Sequence, residues 1–300
     1  METGPIFIGG LANSGKTELR LMLEAHPHLS FTRRTYMWTR FYESYGDLSR
    51  SENLERCLEA MLAHQPIRQL EPDLTRIRAE FAQGAPTYAR LFGLFHAHHA
   101  ERMGKPRWGD QLGHVEQFAA PIFDAFPAAR MIHMVRNPRH VYEEAMARHR
   151  QRKGKVGWTT ADWLSSVGAG KENLARFPGC YKMVRYEALM AQPEQTVRDI
   201  CTFIGEDYHP EILAAAVTDK PKKNRSQKAG GDAPQPNARM SPGEVAFMRT
   251  YARRDLHALG YSLEANKLSL RDWVLFLLVD WPANRVAMAA WRAANPGRYA

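Results

Sequence analysis

The chain has 300 residues, 44% hydrophobic and 24% charged, which is enough for one large α/β domain or two small ones around a substantial core. A formal net charge of +9 favours an anionic ligand, an acidic acceptor or a negatively charged surface, a merely solvated basic face being the plainer reading. Cys57, Cys180 and Cys201 are odd in number and lack metal-type spacing, which argues against a disulfide framework and for reduced thiols, two of them in the core.

Met1 to Pro5 lead straight into an apolar strand, Ile6 to Gly9, with no signal-peptide pattern, so a cytoplasmic protein is expected. A glycine-bearing turn follows, then a helix from Thr17 to Ala25. The charged stretch from about 41 to 102, punctuated by Pro66, Pro72 and Pro86, reads as a helical insertion. Further strands are predicted at Arg130 to Val135 and Tyr181 to Arg185, each followed by a helix, at His140 to Arg150 and Pro193 to Phe203. Such alternation predicts an α/β fold, a three-layer arrangement with a central parallel sheet, the helical insertion and C-terminal helices. Lys220 to Arg239, rich in Lys, Pro and Gly, reads as a mobile loop, and helices are expected at Pro242 to Leu259 and Ser269 to Trp291. The most apolar stretch, Trp273 to Val279, falls far short of the ~20 residues of a membrane span. We expect one domain over 1–262 and a helical extension over 263–300.

Gly10-Leu11-Ala12-Asn13-Ser14-Gly15-Lys16-Thr17 matches the phosphate-loop pattern G-x-x-x-x-G-K-[ST] at every fixed position, between a strand and a helix. Its glycines let backbone N–H groups turn onto phosphate oxygens, the helix adds its positive N-terminal end, and Lys16 supplies a point charge. A nucleotide kinase or ATPase would also need an acidic residue after an apolar strand to organise Mg²⁺. Here the strand at 130–135 ends in Arg136, and Asp110 follows Arg107-Trp108-Gly109, a poor apolar strand.

Four segments together resemble the bacterial sulfotransferase family. They are the phosphate loop with Ala25-His26-Pro27, then Lys105-Pro106-Arg107-Trp108-Gly109-Asp110, then Phe126-Pro127 with Arg136-Asn137-Pro138-Arg139, and Val184-Arg185-Tyr186-Glu187. The resemblance covers about residues 5 to 260. It implies a metal-free P-loop enzyme that takes 3′-phosphoadenosine-5′-phosphosulfate (PAPS) as donor, releases adenosine 3′,5′-bisphosphate (PAP), and sulfates an acceptor hydroxyl of a carbohydrate, lipid or small molecule. It implies donor contacts on Gly10, Asn13, Ser14, Gly15, Lys16, Thr17 and Glu18, a 3′-phosphate on Arg136, and an adenine near Tyr186. The sequence departs from the family at Asn13, at Gln111 and at Glu144. A carboxylate at 144 would repel a 3′-phosphate, so Glu144 must point away or the donor differs, with Arg139 or Arg225 as compensating cations. The basic loop 220–239 would close as a lid over the nucleotide.

In sulfuryl transfer the bridging oxygen gains charge, so a fixed cation there is stabilising, and Lys16 is the candidate. The acceptor must lose a proton to an aligned base, for which the candidates are Asp110 and His114, then Glu43 or Asp47. Arg33 and Arg34 are left to bind an acidic acceptor or the sulfuryl group. Of His96, His98 and His99 only the first and last share a helical face, and no nearby carboxylate completes a set, so no metal site is expected. Tyr36, Trp38, Phe41, Tyr42 and Tyr45 would form either an acceptor wall or a core cluster. The competing readings are an ATP-dependent kinase and a basic module for nucleic acid or an anionic membrane. No nucleic-acid motif is present, and peripheral membrane contact is the surface interaction expected.

Overall fold

The computed structural model describes residues 3–148, 155–218, 240–263 and 269–295. The loop 220–239, including Arg225, lies outside the described residues. In chain order the elements are β1 (Ile6–Gly10), α1 (Lys16–Glu24), β2 (Leu29–Arg33), α2 (Ser51–Ala63), α3 (Gln65–Arg68), α4 (Leu74–Phe81), α5 (Tyr88–Arg102), β3 (Arg107–Gln111), α6 (Ala119–Ala125) and β4 (Arg130–Val135). They continue with α7 (Pro138–Arg148), α8 (Lys155–Arg176), β5 (Tyr181–Arg185), α9 (Tyr186–Ala191), α10 (Pro193–Ile204), α11 (Glu211–Thr218), α12 (Pro242–Ala258), α13 (Leu270–Leu275) and α14 (Trp281–Ala294).

One compact unit comprises Met1–Gly10, Gly15–Met134 and Asn173–Asp219. Its sheet has strand order β2-β3-β1-β4-β5, with β1 parallel to both β3 and β4. Alternation along the strands fills two cores. Phe7 and Met131 face one way, into a cluster with Trp38, Phe92 and Phe95 supplied by the segment 41–102 and its borders. Ile6, Ile8, Ile132 and Met134 face the other, against Leu19 and Leu23 of α1 and Val197 and Ile200 of α10. Helices therefore cover both faces, as a parallel sheet requires and as the three-layer α/β expectation states. Cys57 and Cys201 are buried in these cores, where burial pushes their thiols up to about 12 and about 11.

The sequence reading is corrected at β2 and β3. The sequence reading predicts no strand at β2 and takes β3 as too polar to be one. In the structure β3 is an interior strand, with Arg107, Asp110 and Gln111 all buried. Such residues survive burial only when every polar atom is answered. Arg107 donates to the carbonyls of Gly4 at 2.6 Å and Ile204 at 2.8 Å, and pairs with Glu206 at 2.9 Å. Asp110 accepts from Thr32 at 2.8 Å and Thr35 at 2.7 Å.

The second unit comprises Leu11–Ser14, Val135–Glu172 and Lys220–Ala300. Ser241 caps α12 in a reciprocal capping box with Glu244. Gly157 of α8 lies against α14, where a Cβ would fall 2.0 Å from the Asn284 carbonyl oxygen. The helix expected at 269–291 is α13, a π-turn over Phe276–Asp280, and α14. Among the described residues no helix is long and apolar enough to cross a membrane.

Candidate active site

The loop after β1 enters α1 through a glycine in the left-handed conformation. Gly15, the residue before α1, adopts φ +92°, and a Cβ there would lie 2.1 Å from the Tyr186 ring. Glycine is needed twice over, for the left-handed backbone and for the ring packed on it. Tyr186, at the start of α9, is thereby held against the loop. Lys16 is 7% exposed, and its Nζ donates to the Gly10 carbonyl at 2.6 Å. Thr17 and Glu18 open the helix on its exposed side. Ser14 Oγ donates to the Leu11 carbonyl at 2.8 Å, and Asn13 takes a left-handed φ of 64°.

Gly10 is further held by a network that sequence reasoning missed. Its N–H donates to Glu116 Oε2 at 3.0 Å. Glu116 Oε1 lies 3.9 Å from His133 Nε2, and His133 Nδ1 is 2.6 Å from the Tyr181 hydroxyl. Asn173 donates to the Glu116 carbonyl at 2.6 Å. Burial holds His133 below the ordinary histidine range and raises Tyr181 well above the usual tyrosine range. Nothing in the sequence announces Glu116, because its partners stand on β1, β4 and β5 and at the end of α8.

In the second unit, Arg136 is 8% exposed and donates through Nη1 to the Asn13 carbonyl at 2.9 Å. The same nitrogen donates to Glu144 Oε2 at 2.6 Å, so Glu144 faces Arg136 rather than pointing away. One turn of α7 sets the two carboxylates, since Arg139 pairs in turn with Glu143 at 3.0 Å. Trp163 fixes the base of Arg136 by donating to its carbonyl at 2.9 Å.

The two candidate bases differ sharply. Asp110 is 0% exposed, both its oxygens accept threonine hydroxyls, and His96 Nε2 lies 3.6 Å away. His114 is half-buried in the loop after β3, with a left-handed φ of 61°. That loop runs beside the end of β1, since Leu112 N donates to the Ile8 carbonyl at 3.2 Å. Arg33 and Arg34, at the same end of β2, are exposed. Of the five aromatics, Trp38 and Phe41 are core, and Tyr36 is exposed.

The histidine reading needs one correction, because carboxylates do lie close. His96 approaches Asp110, and His98 Nε2 lies 2.9 Å from Glu80. These are separate pairs, and the three histidines do not converge on one point among the described residues. His26, His28 and Glu206 do come together. There His26 is committed at both nitrogens, Nδ1 to the His28 N–H and Nε2 to the Asp207 carbonyl, while Arg107 holds Glu206. The cluster ties the turn before β2 to the chain after α10.

A family model described as "Sulfotransferase family" matches residues 5–210. No curated protein sequence matches the chain. Among solved structures, the sulfotransferase domain of the Synechococcus PCC 7002 olefin synthase is 20% identical, covering 87% of this chain and 95% of that one at a TM-score of 0.53. The sulfotransferase domain from the curacin biosynthetic pathway is 18% identical, covering 88% and 99% at 0.53. A sulfotransferase from Mycobacterium avium is 12% identical, covering 87% and 78% at 0.51. At such identities the structures speak for the fold alone, and it is the same fold. With the family model matched over more than half its length, on a parallel sheet carrying the glycine-lysine loop, this chain belongs to the sulfotransferase family.

Proposed function

We propose that the protein transfers a sulfuryl group from PAPS to an acceptor hydroxyl on a carbohydrate, lipid or small molecule. The observation that carries this reading is the residue closing β4: it is Arg136, a buried guanidinium bonded to the loop carbonyl of Asn13, where metal-dependent chemistry on this loop would want a carboxylate. The loop fits a phosphosulfate. Its glycines Gly10 and Gly15 take positive φ, a backbone conformation suited to turning N–H groups inward, and Lys16 is a buried cation whose Nζ donates to the Gly10 carbonyl. The pairing of Arg136 with the Glu144 carboxylate supports a guanidinium suited to an anion.

The bound donor supplies the sulfuryl group on a phosphate that can leave. Gly10, Asn13, Ser14, Gly15, Lys16, Thr17 and Glu18 would hold its phosphosulfate end, and Arg136, with Arg139 beside it in sequence, its 3′-phosphate. Tyr186, packed on Gly15, would border the adenine. Lys16 would exchange the Gly10 carbonyl for the leaving oxygen, where a fixed charge lowers the barrier without reorganising. His114 is the better general base. Asp110 has no exposed atom and two hydroxyl partners, so it serves to position the end of β3. The exposed Arg33 and Arg34 suit an acidic acceptor.

The test is nucleotide binding. The expected outcome is binding of PAP without Mg²⁺ and indifference to ATP with or without it. Tight, Mg²⁺-dependent ATP binding would make the protein a kinase instead.

A further inference from the structure

Thirteen large apolar side chains are exposed among the described residues, and eight of them fall between 270 and 286. The other five are scattered singly from Tyr36 to Met190, as on any soluble surface. Leu270 is 85% exposed, Leu278 73% and Val286 69%, with Trp273, Leu275 and Leu277 each near half. Apolar side chains exposed in such concentration along one segment mark an interaction site.

The segment is anchored. Phe276 is buried, its ring 5.3 Å from that of Trp281. Trp281 in turn packs on Phe247 at 5.3 Å and Tyr251 at 5.6 Å, both on α12. Phe276 also fills the space over Gly243, where a Cβ would come within 3.1 Å of its ring. With one aromatic pair driven inward, the π-turn leaves its neighbours facing out on both sides of Phe276. Exposure is thus fixed by the packing beneath it.

We propose that this surface, α13 through the start of α14, docks the protein on an anionic phospholipid membrane, lying in the interface plane without crossing it. Length forbids a span, since the apolar run Trp273 to Val279 is about a third of the ~20 residues a span needs. Trp273, about half exposed, is a side chain of the kind that settles at a headgroup boundary, with an apolar body and one N–H to place in water. Charge selects the lipid. The chain carries +9, and Arg249, Arg253, Arg254, Arg285 and Arg292 are exposed on α12 and α14. Anionic headgroups attract such a basic chain, whereas a second copy of it is repelled. A membrane is therefore favoured over self-association. This inference stands on the second unit alone and does not depend on the donor or the acceptor.

The experiment is co-sedimentation of the full chain with vesicles of phosphatidylcholine alone and of phosphatidylcholine mixed with phosphatidylglycerol. The expected result is binding to the anionic vesicles, weakened by salt, and at least about tenfold less binding for Leu277→Glu/Leu278→Glu at an unchanged melting temperature. Three outcomes would overturn the proposal. One is binding to neither vesicle. Another is equal binding of parent and variant. The third is a concentration-dependent dimer in sedimentation equilibrium, abolished by the variant, with no vesicle binding.

Discussion

Glu144 Oε2 accepts from Arg136 Nη1 at 2.6 Å while that nitrogen also donates to the Asn13 carbonyl at 2.9 Å. On the function proposed above, the carboxylate competes with the 3′-phosphate for this guanidinium. Glu144→Ser should tighten PAP binding by about tenfold, because a like charge is removed and the cation is released. Arg136→Ala should weaken it by about 1.5–3 kcal/mol, the range of a charged hydrogen bond. Titration calorimetry with PAP and with its analogue lacking the 3′-phosphate reads both. Equal affinity of the wild type for the two nucleotides removes Arg136 from the 3′-phosphate.

Lys16 is buried with one neutral partner, the Gly10 carbonyl, among its bonds. Lys16→Ala should abolish transfer while leaving the fold intact, since it removes a buried cation and not a packing side chain. Lys16→Arg should not restore the rate, because a planar fork does not replace a point charge at one oxygen. Single-turnover assays with labelled donor, alongside a thermal melt, check this. Substantial turnover in Lys16→Ala would end its role as the leaving-group cation.

His114 and Asp110 separate by what they change. His114→Ala should lower kcat by about 10² to 10⁴ with the Kd for PAP unchanged and stability nearly unaltered. Asp110→Ala should instead lower stability by about 2–4 kcal/mol, because it strands the hydroxyls of Thr32 and Thr35 in a dry interior. Denaturant melts and kinetics on both variants decide. A fully stable, inactive Asp110→Ala would reverse the assignment.

Acid should unfold the protein early. Burial holds His26, His96 and His133 below the ordinary histidine range, opposed in His26 by the Asp207 carbonyl and in the other two by nearby carboxylates. The folded state therefore keeps them neutral, and the unfolded chain binds protons first. Their contribution is fully present above the unfolded pKa of about 6.5 and is lost as pH falls from there towards the folded values. Each contributes a slope of about 1.4 kcal/mol per pH unit within that window. Melting temperature measured from pH 7.5 to 5 should fall, and His96→Gln should flatten the fall. A flat profile would show that these rings are as easily protonated folded as unfolded.

The sequence by itself determined the glycine-bearing turn between β1 and α1, the strand and helix alternation around it, and three of the five strands within a residue. These are local facts: G-x-x-x-x-G-K-T needs only its own backbone, and β1, β4 and β5 are written in runs of apolar residues. Tertiary structure alone decided β3, where Arg107 and Asp110 are tolerated in a sheet because Gly4, Ile204, Glu206, Thr32 and Thr35 answer them. It likewise decided that Glu116, 106 residues along the chain from Gly10, would hold the loop's first N–H. It also turned Glu144 onto Arg136 and left the residues around Phe276 facing outward. A periodic pattern records which way a side chain faces along its own element. What it meets there is set by chain tens of residues away, and the burial of a charge becomes affordable only once that partner has arrived.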